Sequence, residues 1–237
     1  MSREVWSARD ADVRAEKREV FPMSLLRCGL VAGPVFLAVL WIDGATRPGY
    51  SLWHHGASQL GTGERAWLQT GNFLLAAVLL GLFALGLRRT LPPGGRGAAW
   101  GPAFLAIAAV GLAVGGLVPT DPALGYPPGL PEGLTTAGRV HQVAGLALFA
   151  GLAGGAFALA RQLPGTGRFM RISGALVIAF AFAAGIAYRL DTLGLWRPAP
   201  AGLLEHLSLV VGFCWITVLA VRLAQLPSFS RRPYSRP

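Results

Sequence analysis

The stretch WLQTGNFLLAAVLLGLFALGL, residues 67–87, runs for 21 residues without a charged side chain. At a helical rise of about 1.5 Å per residue, it is long enough to cross the roughly 30 Å hydrocarbon core of a bilayer. Five further apolar stretches of similar length occupy residues 24–42, 98–118, 140–160, 172–190 and 203–221. The sequence therefore predicts an all-α integral membrane protein, built as a six-transmembrane-helix bundle.

The composition fits a chain that lies mostly within a membrane. Of 237 residues, 53% are hydrophobic and 14% are charged, whereas soluble domains carry about 25% charged residues. Six helices leave little room for a separate soluble domain. We expect a membrane domain at residues 23–223, between a charged cytoplasmic tail at 1–22 and a basic cytoplasmic tail at 224–237. Proline and glycine at residues 92–95 and 164–167 are typical of short turns, which join antiparallel neighbouring helices.

The distribution of positive charge predicts how the helices are oriented. Sixteen of the 21 Lys and Arg residues lie in the N-terminal region through Arg27, in two connections and in the C-terminal tail, and five lie in the other three connections. By the positive-inside rule we expect both termini to be cytoplasmic and the long loops to be extracytoplasmic. The expected location is the inner (plasma) membrane of a cell. The net charge of +10 is scattered over helix ends, which argues against nucleic-acid binding.

Small residues spaced four apart favour close contact between helices. We expect these faces to pack within the bundle, with a homo-oligomer as the alternative; the pairs are Gly29/Gly33, Gly111/Gly115, Gly151/Gly155 and Ser208/Gly212. Tryptophans near the predicted helix ends are typical of the lipid–water interface, so membrane lipid is the expected partner. They are Trp41, Trp53, Trp67, Trp100 and Trp196.

The four histidines, and the six acidic residues beyond the N-terminal tail, all fall at the predicted outer ends of the helices. Asp121 follows helix 3, His141 lies near the start of helix 4, and Glu205 and His206 lie in the first turn of helix 6. Ionisable groups in membrane proteins usually face the bundle interior and pair with one another. Asp121, His141 and Glu205 could provide acid–base catalysis. The same three residues with His206 could bind a metal ion, for which zinc is the candidate.

A structural role is the alternative for this set. Asp121 and Glu205 could cap helices, because acids near helix N-termini are stabilised by the helix dipole. They could also pair with the arginines at the same end, which are Arg139, Arg189 and Arg197. No HExxH or other compact metal-binding spacing is present, so the metal hypothesis depends on position alone.

Residues 50–60, YSLWHHGASQL, form a second candidate region between helices 1 and 2. The segment is too short to span, so we predict an interfacial helix or re-entrant segment over the bundle, with Trp53 and Leu60 in lipid. Ser58 is a candidate nucleophile, although no GxSxG elbow surrounds it. The candidate ligand-binding residues at this end are His54, His55, Asp43, Asp191 and His206.

A longer pattern is more specific than any of these features. Arg47-Pro48-Gly49-Tyr50, Ala57-Ser58-Gln59-Leu60-Gly61 and Trp67-Leu68-Gln69-Thr70-Gly71-Asn72-Phe73 are followed by Val118-Pro119-Thr120-Asp121, His141 and Glu205-His206. Over about residues 25–223 this pattern resembles the domain-of-unknown-function 998 family of polytopic bacterial and archaeal membrane proteins. The resemblance implies a shared architecture and marks Ser58, Asp121, His141 and Glu205 as a set, but it names no reaction. The chain has Gln59 where the family usually has Glu, and His206 where it often has Arg.

Three functions remain open from the sequence. The first is a module that binds a lipid, an amphiphile or a partner at an outer-side polar pocket, which the glycine-rich packing favours. The second is a membrane-embedded hydrolase or transferase that acts on a lipid head group, in which Asp121, His141 and Glu205 either bind a metal ion or move protons, with Ser58 or water as the nucleophile. The third is a small-solute transporter, which the lack of charge at mid-membrane disfavours.

Overall fold

The computed structural model describes the backbone of residues 3–92, 95–162 and 165–225, and side chains from residue 23 onward within those ranges. Within this part of the chain, six α-helices are each long and apolar enough to cross a membrane. The predicted all-α, six-helix architecture is confirmed. The helices are α1 (Arg3–Thr46), α2 (Ala66–Thr90), α3 (Arg96–Leu117), α4 (Thr136–Leu159), α5 (Gly167–Thr192) and α6 (Ala201–Gln225).

Most helices extend beyond their apolar stretches, because helical hydrogen bonding continues into polar sequence outside the hydrocarbon region. The backbone of residues 3–22 is helical and continuous with the rest of α1. Helix α4 begins four residues before the apolar window, where the Thr135 side chain accepts a hydrogen bond from the Gly138 amide and caps the helix. Residues 226–237 of the predicted C-terminal tail, and Pro93, Gly94 and Pro164 of the predicted turns, lie outside the described residues.

The helices form a closed ring in chain order. Each helix packs against the next one, α1 packs against α6, and α4 also contacts α6. The centre of the ring is filled by aromatic side chains. Phe36 stacks on Phe213 with ring centroids 4.7 Å apart and on Phe73 at 5.8 Å, and Trp215 is fully buried. The middle of the bundle is therefore a packed core.

The small residues are used for contacts between helices of the same chain, as expected. A Cβ added at Gly111 in α3 would lie 2.6 Å from the Ala144 carbonyl oxygen in α4, and one added at Gly151 in α4 would lie 2.5 Å from the Phe104 carbonyl oxygen in α3. Both distances are too short for a real Cβ atom. Helices α3 and α4 therefore approach closely because these positions lack side chains.

Residues 50–61 lie across one end of the bundle, and we call this segment the lip. It consists of turns followed by a short 3₁₀ helix, Ala57–Gly61. Ala57 and Leu60 are fully buried in the main hydrophobic core, whereas Trp53 is 48% exposed. The prediction that Leu60 faces lipid is therefore wrong: because the lip folds inward, Leu60 fills the top of the ring.

Candidate functional site

The end of the bundle that carries the lip also carries the acidic residues and histidines discussed above, and we call it the polar end. Asp43, at the end of α1, is fully buried between two guanidinium groups. Its carboxylate forms ion pairs with Arg47 and Arg65, both at 2.5 Å. Arg47 also donates to the Thr62 carbonyl oxygen at 2.9 Å and to the Arg65 carbonyl oxygen at 3.0 Å. These contacts join the end of α1 to the start of α2.

Asp191, at the end of α5, joins the lip to the α5–α6 connection. Its Oδ2 atom accepts a hydrogen bond from the Ala199 amide at 2.8 Å and lies 2.8 Å from Nε2 of His54. Arg197 lies 3.6 Å from the other carboxylate oxygen. The ligand-binding candidates Asp43, Asp191 and His54 therefore form contacts with the protein itself.

His55 is buried and uses both ring nitrogens. Its Nδ1 atom accepts a hydrogen bond from the Ser51 amide at 2.9 Å, so Nε2 carries the proton and donates to the Leu124 carbonyl oxygen at 3.1 Å. Its ring lies 5.5 Å from Tyr50 and 5.2 Å from Tyr126. Burial lowers the pKa of His55, and the nearby His54 adds to this effect, although the Leu124 hydrogen bond opposes it. His55 is thus held neutral as part of the lip.

Glu205 and His206 in α6 hold the lip from below. Glu205 accepts a hydrogen bond from the Ala57 amide at 2.9 Å, and Gly56 leaves the space that its carboxylate occupies. Nε2 of His206 lies 3.3 Å from the Tyr50 hydroxyl, whose single proton is shared between the His55 and Gly56 carbonyl oxygens, each 3.0 Å away. Burial, and then the charge of Glu205, raises the pKa of the Tyr50 phenol well above its usual range.

Asp121 lies in the α3–α4 connection and holds the start of α4. Its carboxylate accepts from the Thr135 amide at 2.8 Å and from the Thr135 hydroxyl at 2.7 Å. Thr135 is the residue that caps α4. Asp121 therefore supports the start of α4 through the cap residue Thr135 and does not cap the helix itself, which is still a structural role.

His141 lies in the second turn of α4 and is 8% exposed. Its Nδ1 atom is 2.7 Å from the carbonyl oxygen of Val118 at the end of α3. A carbonyl oxygen can only accept, so Nδ1 carries the proton, and Nε2 of the neutral ring is an acceptor. Within the described residues, this nitrogen has no protein partner.

A cavity of about 210 Å³ lies beside His141, between the lip, α2, the end of α3 and the start of α4. We call it the polar cavity. Its polar lining residues are Ser58, Gln69, Thr70, Thr120 and His141, and the rest of the lining is Gly61, Phe73, Gly115, Gly116, Leu117 and Pro119. Leu117 and Pro119 are exposed, so the cavity reaches the surface between an apolar helix end and a loop.

Gln69 is the residue of this cavity that sequence reasoning did not single out. It is fully buried, and its Oε1 atom accepts from Asn72 at 3.2 Å, but its Nε2 atom has no hydrogen-bond partner. Asn72 in turn donates to the Phe36 carbonyl oxygen in α1 at 3.0 Å. Two amides three residues apart in an apolar helix were the available signal, because buried polar groups in membrane helices require partners.

The structure does not bring the residues of the metal hypothesis together. His141 lies at the polar cavity and Asp121 at the cap of α4, whereas Glu205 and His206 lie under the lip. In the described part of the chain, no group of three or more His, Cys, Asp or Glu side chains could hold a metal ion. Ser58 and His141 share the polar cavity, but no hydrogen bond joins them.

A second cavity of about 260 Å³ lies on the other side of the lip, between α1 and α6. Its lining is apolar except for His206, and its other residues are Trp41, Leu52, Trp53, Leu203, Leu207 and Val210. This second cavity could enclose an apolar group, but its lining has few hydrogen-bonding side chains. Polar recognition at this end of the molecule is therefore concentrated in the polar cavity.

Comparison with known proteins identifies a family but no activity. Residues 30–222 match the model of a family described as "protein of unknown function (DUF998)", which confirms the resemblance seen in the sequence. No curated protein and no solved structure matches the chain. Because the match covers most of the chain, the protein belongs to this family.

Proposed function

For this member of the DUF998 family, we propose that the polar cavity binds the head group of a lipid or other amphiphile in the outer leaflet. The observation that supports the proposal is Gln69, which is fully buried in the cavity lining with its Nε2 donor unpartnered. A buried donor without a partner destabilises a protein by about 1–3 kcal/mol. A ligand that supplies an acceptor offsets this cost, and the acceptor Nε2 of His141 provides a complementary second contact.

The position of the cavity favours an amphiphile. Leu117, at its rim, is 67% exposed at the end of a membrane-spanning helix, while Thr120 and Pro119 belong to the adjoining loop. A molecule bound there could keep its chain in lipid and place its head group against Gln69. Phe73, which lines the cavity, stacks on Phe36, and Phe36 stacks on the buried Phe213, which supports binding at one end in preference to passage through the bundle.

The orientation belongs to the same proposal. With sixteen Lys and Arg residues on one side and five on the other, the positive-inside rule places both termini in the cytoplasm and the polar end outside. The polar cavity then faces the outer leaflet of the plasma membrane. Lipids of that leaflet are the molecules that reach it by lateral diffusion.

A blocked cavity tests the proposal. A Cβ added at Gly115 would lie 3.6 Å from Phe73 and 3.7 Å from His141, which are ordinary contacts, so Gly115→Leu should fold while its side chain fills the cavity. Gly145→Leu is the matched control, because a Cβ at Gly145 meets no atom within 4 Å. Native mass spectrometry of protein released from lipid nanodiscs should show a retained lipid in the wild type and in Gly145→Leu, and none in Gly115→Leu. Equal retention in all three would contradict the proposal.

A hydrolase is the second candidate, and His141 is the observation that favours it. Its Nδ1–H is fixed by the Val118 carbonyl oxygen, which leaves Nε2 as a base in the cavity that also contains Ser58. A fluorophosphonate probe should then label Ser58 in the wild type but not in His141→Asn. If the probe does not label the wild-type protein, the hydrolase hypothesis is wrong, and head-group binding remains the proposed function.

A further inference from the structure

The hydrogen-bonding groups of the polar cavity restrict what it can bind. Gln69 lines the cavity and carries an unpartnered donor, Nε2, and its amide is oriented by the hydrogen bond that its Oε1 atom accepts from Asn72. His141 presents an acceptor, Nε2, because its other nitrogen donates to the Val118 carbonyl oxygen. A ligand that satisfies both must accept at one position and donate at the other. We infer that the polar cavity binds an uncharged, hydroxyl-bearing head group, such as the sugar or glycerol of a neutral lipid.

A hydroxyl group meets both requirements, because a single oxygen donates one hydrogen bond and accepts others. A fully ionised phosphate or a carboxylate can accept from Gln69, but it offers no proton to the lone pair of His141. The remaining polar lining consists of the Ser58, Thr70 and Thr120 hydroxyls. Hydroxyl groups rotate to act as donor or acceptor, so they complement several hydroxyls of one polyol.

The residues that line the cavity provide no permanently charged counter-ion for an ionic head group. None of the eleven lining residues is Lys, Arg, Asp or Glu. Of the charged residues in the adjoining segments, Arg65 pairs with Asp43 and donates to Thr46, both oxygens of Asp121 accept from Thr135, and Glu64 and Arg139 are exposed. Moving a charged head group into this site without a counter-ion is strongly unfavourable.

The size of the cavity fits a head group rather than a whole lipid. Ligand pockets of drug-sized molecules usually measure about 300–1,000 Å³, and the polar cavity measures about 210 Å³. Gly115 and Gly116 keep its α3 wall free of side chains. The inference rests on the proposed function and names the class of ligand for the same site.

Lipid competition tests this ligand class. The full chain in phosphatidylcholine nanodiscs receives equal amounts of galactosyl diacylglycerol and phosphatidic acid with identical acyl chains, and native mass spectrometry measures which lipid is retained. We expect about tenfold preference for the galactolipid, the effect of one or two hydrogen bonds. Gln69→Leu should weaken retention about tenfold. His141→Asn, which can still donate to the Val118 carbonyl oxygen, should do so as well, whereas Ser208→Ala, a buried hydroxyl outside the cavity, should not.

The outcomes separate this inference from the function on which it rests. Preference for phosphatidic acid that Gly115→Leu abolishes would overturn the hydroxyl inference and support lipid binding. If the wild type retains neither lipid more strongly than Gly115→Leu does, both the hydroxyl inference and the proposed lipid binding are wrong. Methyl galactoside in a third sample distinguishes a lipid ligand from a free sugar. If methyl galactoside displaces the galactolipid at equal concentration, recognition of a hydroxyl-bearing group is supported and the ligand is a free sugar rather than a lipid.

Discussion

Among the buried side-chain atoms of the described residues that lack a hydrogen-bond partner, which include Arg47 Nε and Asn72 Oδ1, only Gln69 Nε2 belongs to a residue that lines the polar cavity. Asp43, Asp121 and Asp191 each accept at least two hydrogen bonds or ion pairs from the protein. Their positions at helix ends made them conspicuous in the sequence, and the same positions explain their structural use. The unpartnered donor, rather than the charged groups, marks the candidate site.

At the residue scale, His55 should make folding stability depend on pH. Burial lowers its pKa below the usual value near 6.5, so the unfolded chain binds more protons than the folded one as the pH falls. The stability that comes from neutral His55 is therefore complete above about pH 6.5 and decreases as the pH falls below that value. Thermal unfolding in detergent from pH 7.5 to 5 should show this decrease.

The control for this prediction is His55→Gln. Its amide can still accept from the Ser51 amide, but it does not titrate, so it should be less stable than the wild type at pH 7.5 and less sensitive to pH. Equal pH dependence in both proteins would show that His54, Asp191 or another group is responsible.

Asn72 supplies a second prediction at this scale. Its Nδ2 atom donates to the Phe36 carbonyl oxygen and to Gln69, so Asn72→Leu should destabilise the bundle by about 1–2 kcal/mol, as for hydrogen bonds between membrane helices. Gln69→Leu in ligand-free protein should change stability less, because it removes an unsatisfied donor as well as an acceptor. Urea or SDS unfolding of the two variants measures the difference, and a larger loss for Gln69→Leu would contradict the assignment of its Nε2 as unpartnered.

At the element scale, the α3–α4 contact depends on glycine. A Cβ at Gly151 would lie 2.5 Å from the Phe104 carbonyl oxygen, so Gly151→Ala forces the helices apart and should lower stability by about 1–3 kcal/mol. Gly145→Ala in the same helix meets no atom within 4 Å and should be neutral or stabilise by up to about 1 kcal/mol, since alanine favours helix. Similar effects of the two substitutions would contradict the close packing of α3 on α4.

The junction of α1 and α2 gives another test. Asp43→Asn leaves the buried Arg47 guanidinium without its carboxylate, and breaking a buried pair in this way costs about 3–5 kcal/mol. Arg65 is 39% exposed at its side chain, so Arg65→Gln should cost only about 1 kcal/mol. Detergent unfolding curves measure both, and a mild Asp43→Asn phenotype would show that the pair is not structural.

The sequence predicted the helices more successfully than the site. Apolar windows located all six spans, because hydropathy and helix length are local properties. The burial of Leu60 and the convergence of Ser58, Gln69 and His141 depend on how the lip folds over the ring, and no local pattern encodes that. Gln69 does not stand out in the sequence because its apolar neighbours dominate the mean hydropathy of that stretch. Whether Asp121 supports the start of α4 or binds a ligand depends on its contact with Thr135, which is a tertiary contact.

At the scale of the whole molecule, the orientation in the membrane can be measured directly. Leu134→Cys places a thiol in the exposed α3–α4 connection at the polar end, and Gly95→Cys places one in the exposed α2–α3 connection at the opposite end. The charge distribution predicts that a membrane-impermeant maleimide labels Leu134→Cys in intact cells and Gly95→Cys only after permeabilisation. The native Cys28 and Cys214 lie within helices and are replaced in both variants. The reverse labelling pattern would show that the predicted orientation is wrong and that the polar end faces the cytoplasm.

The measurement that tests the binding claim most directly is a cryo-electron microscopy structure of the protein in nanodiscs made with the lipids of its own membrane. We expect non-protein density in the polar cavity, within hydrogen-bonding distance of Gln69 Nε2 and His141 Nε2, and we expect Gly115→Leu to lack that density. A well-defined Gln69 beside a cavity that holds only ordered water would contradict it.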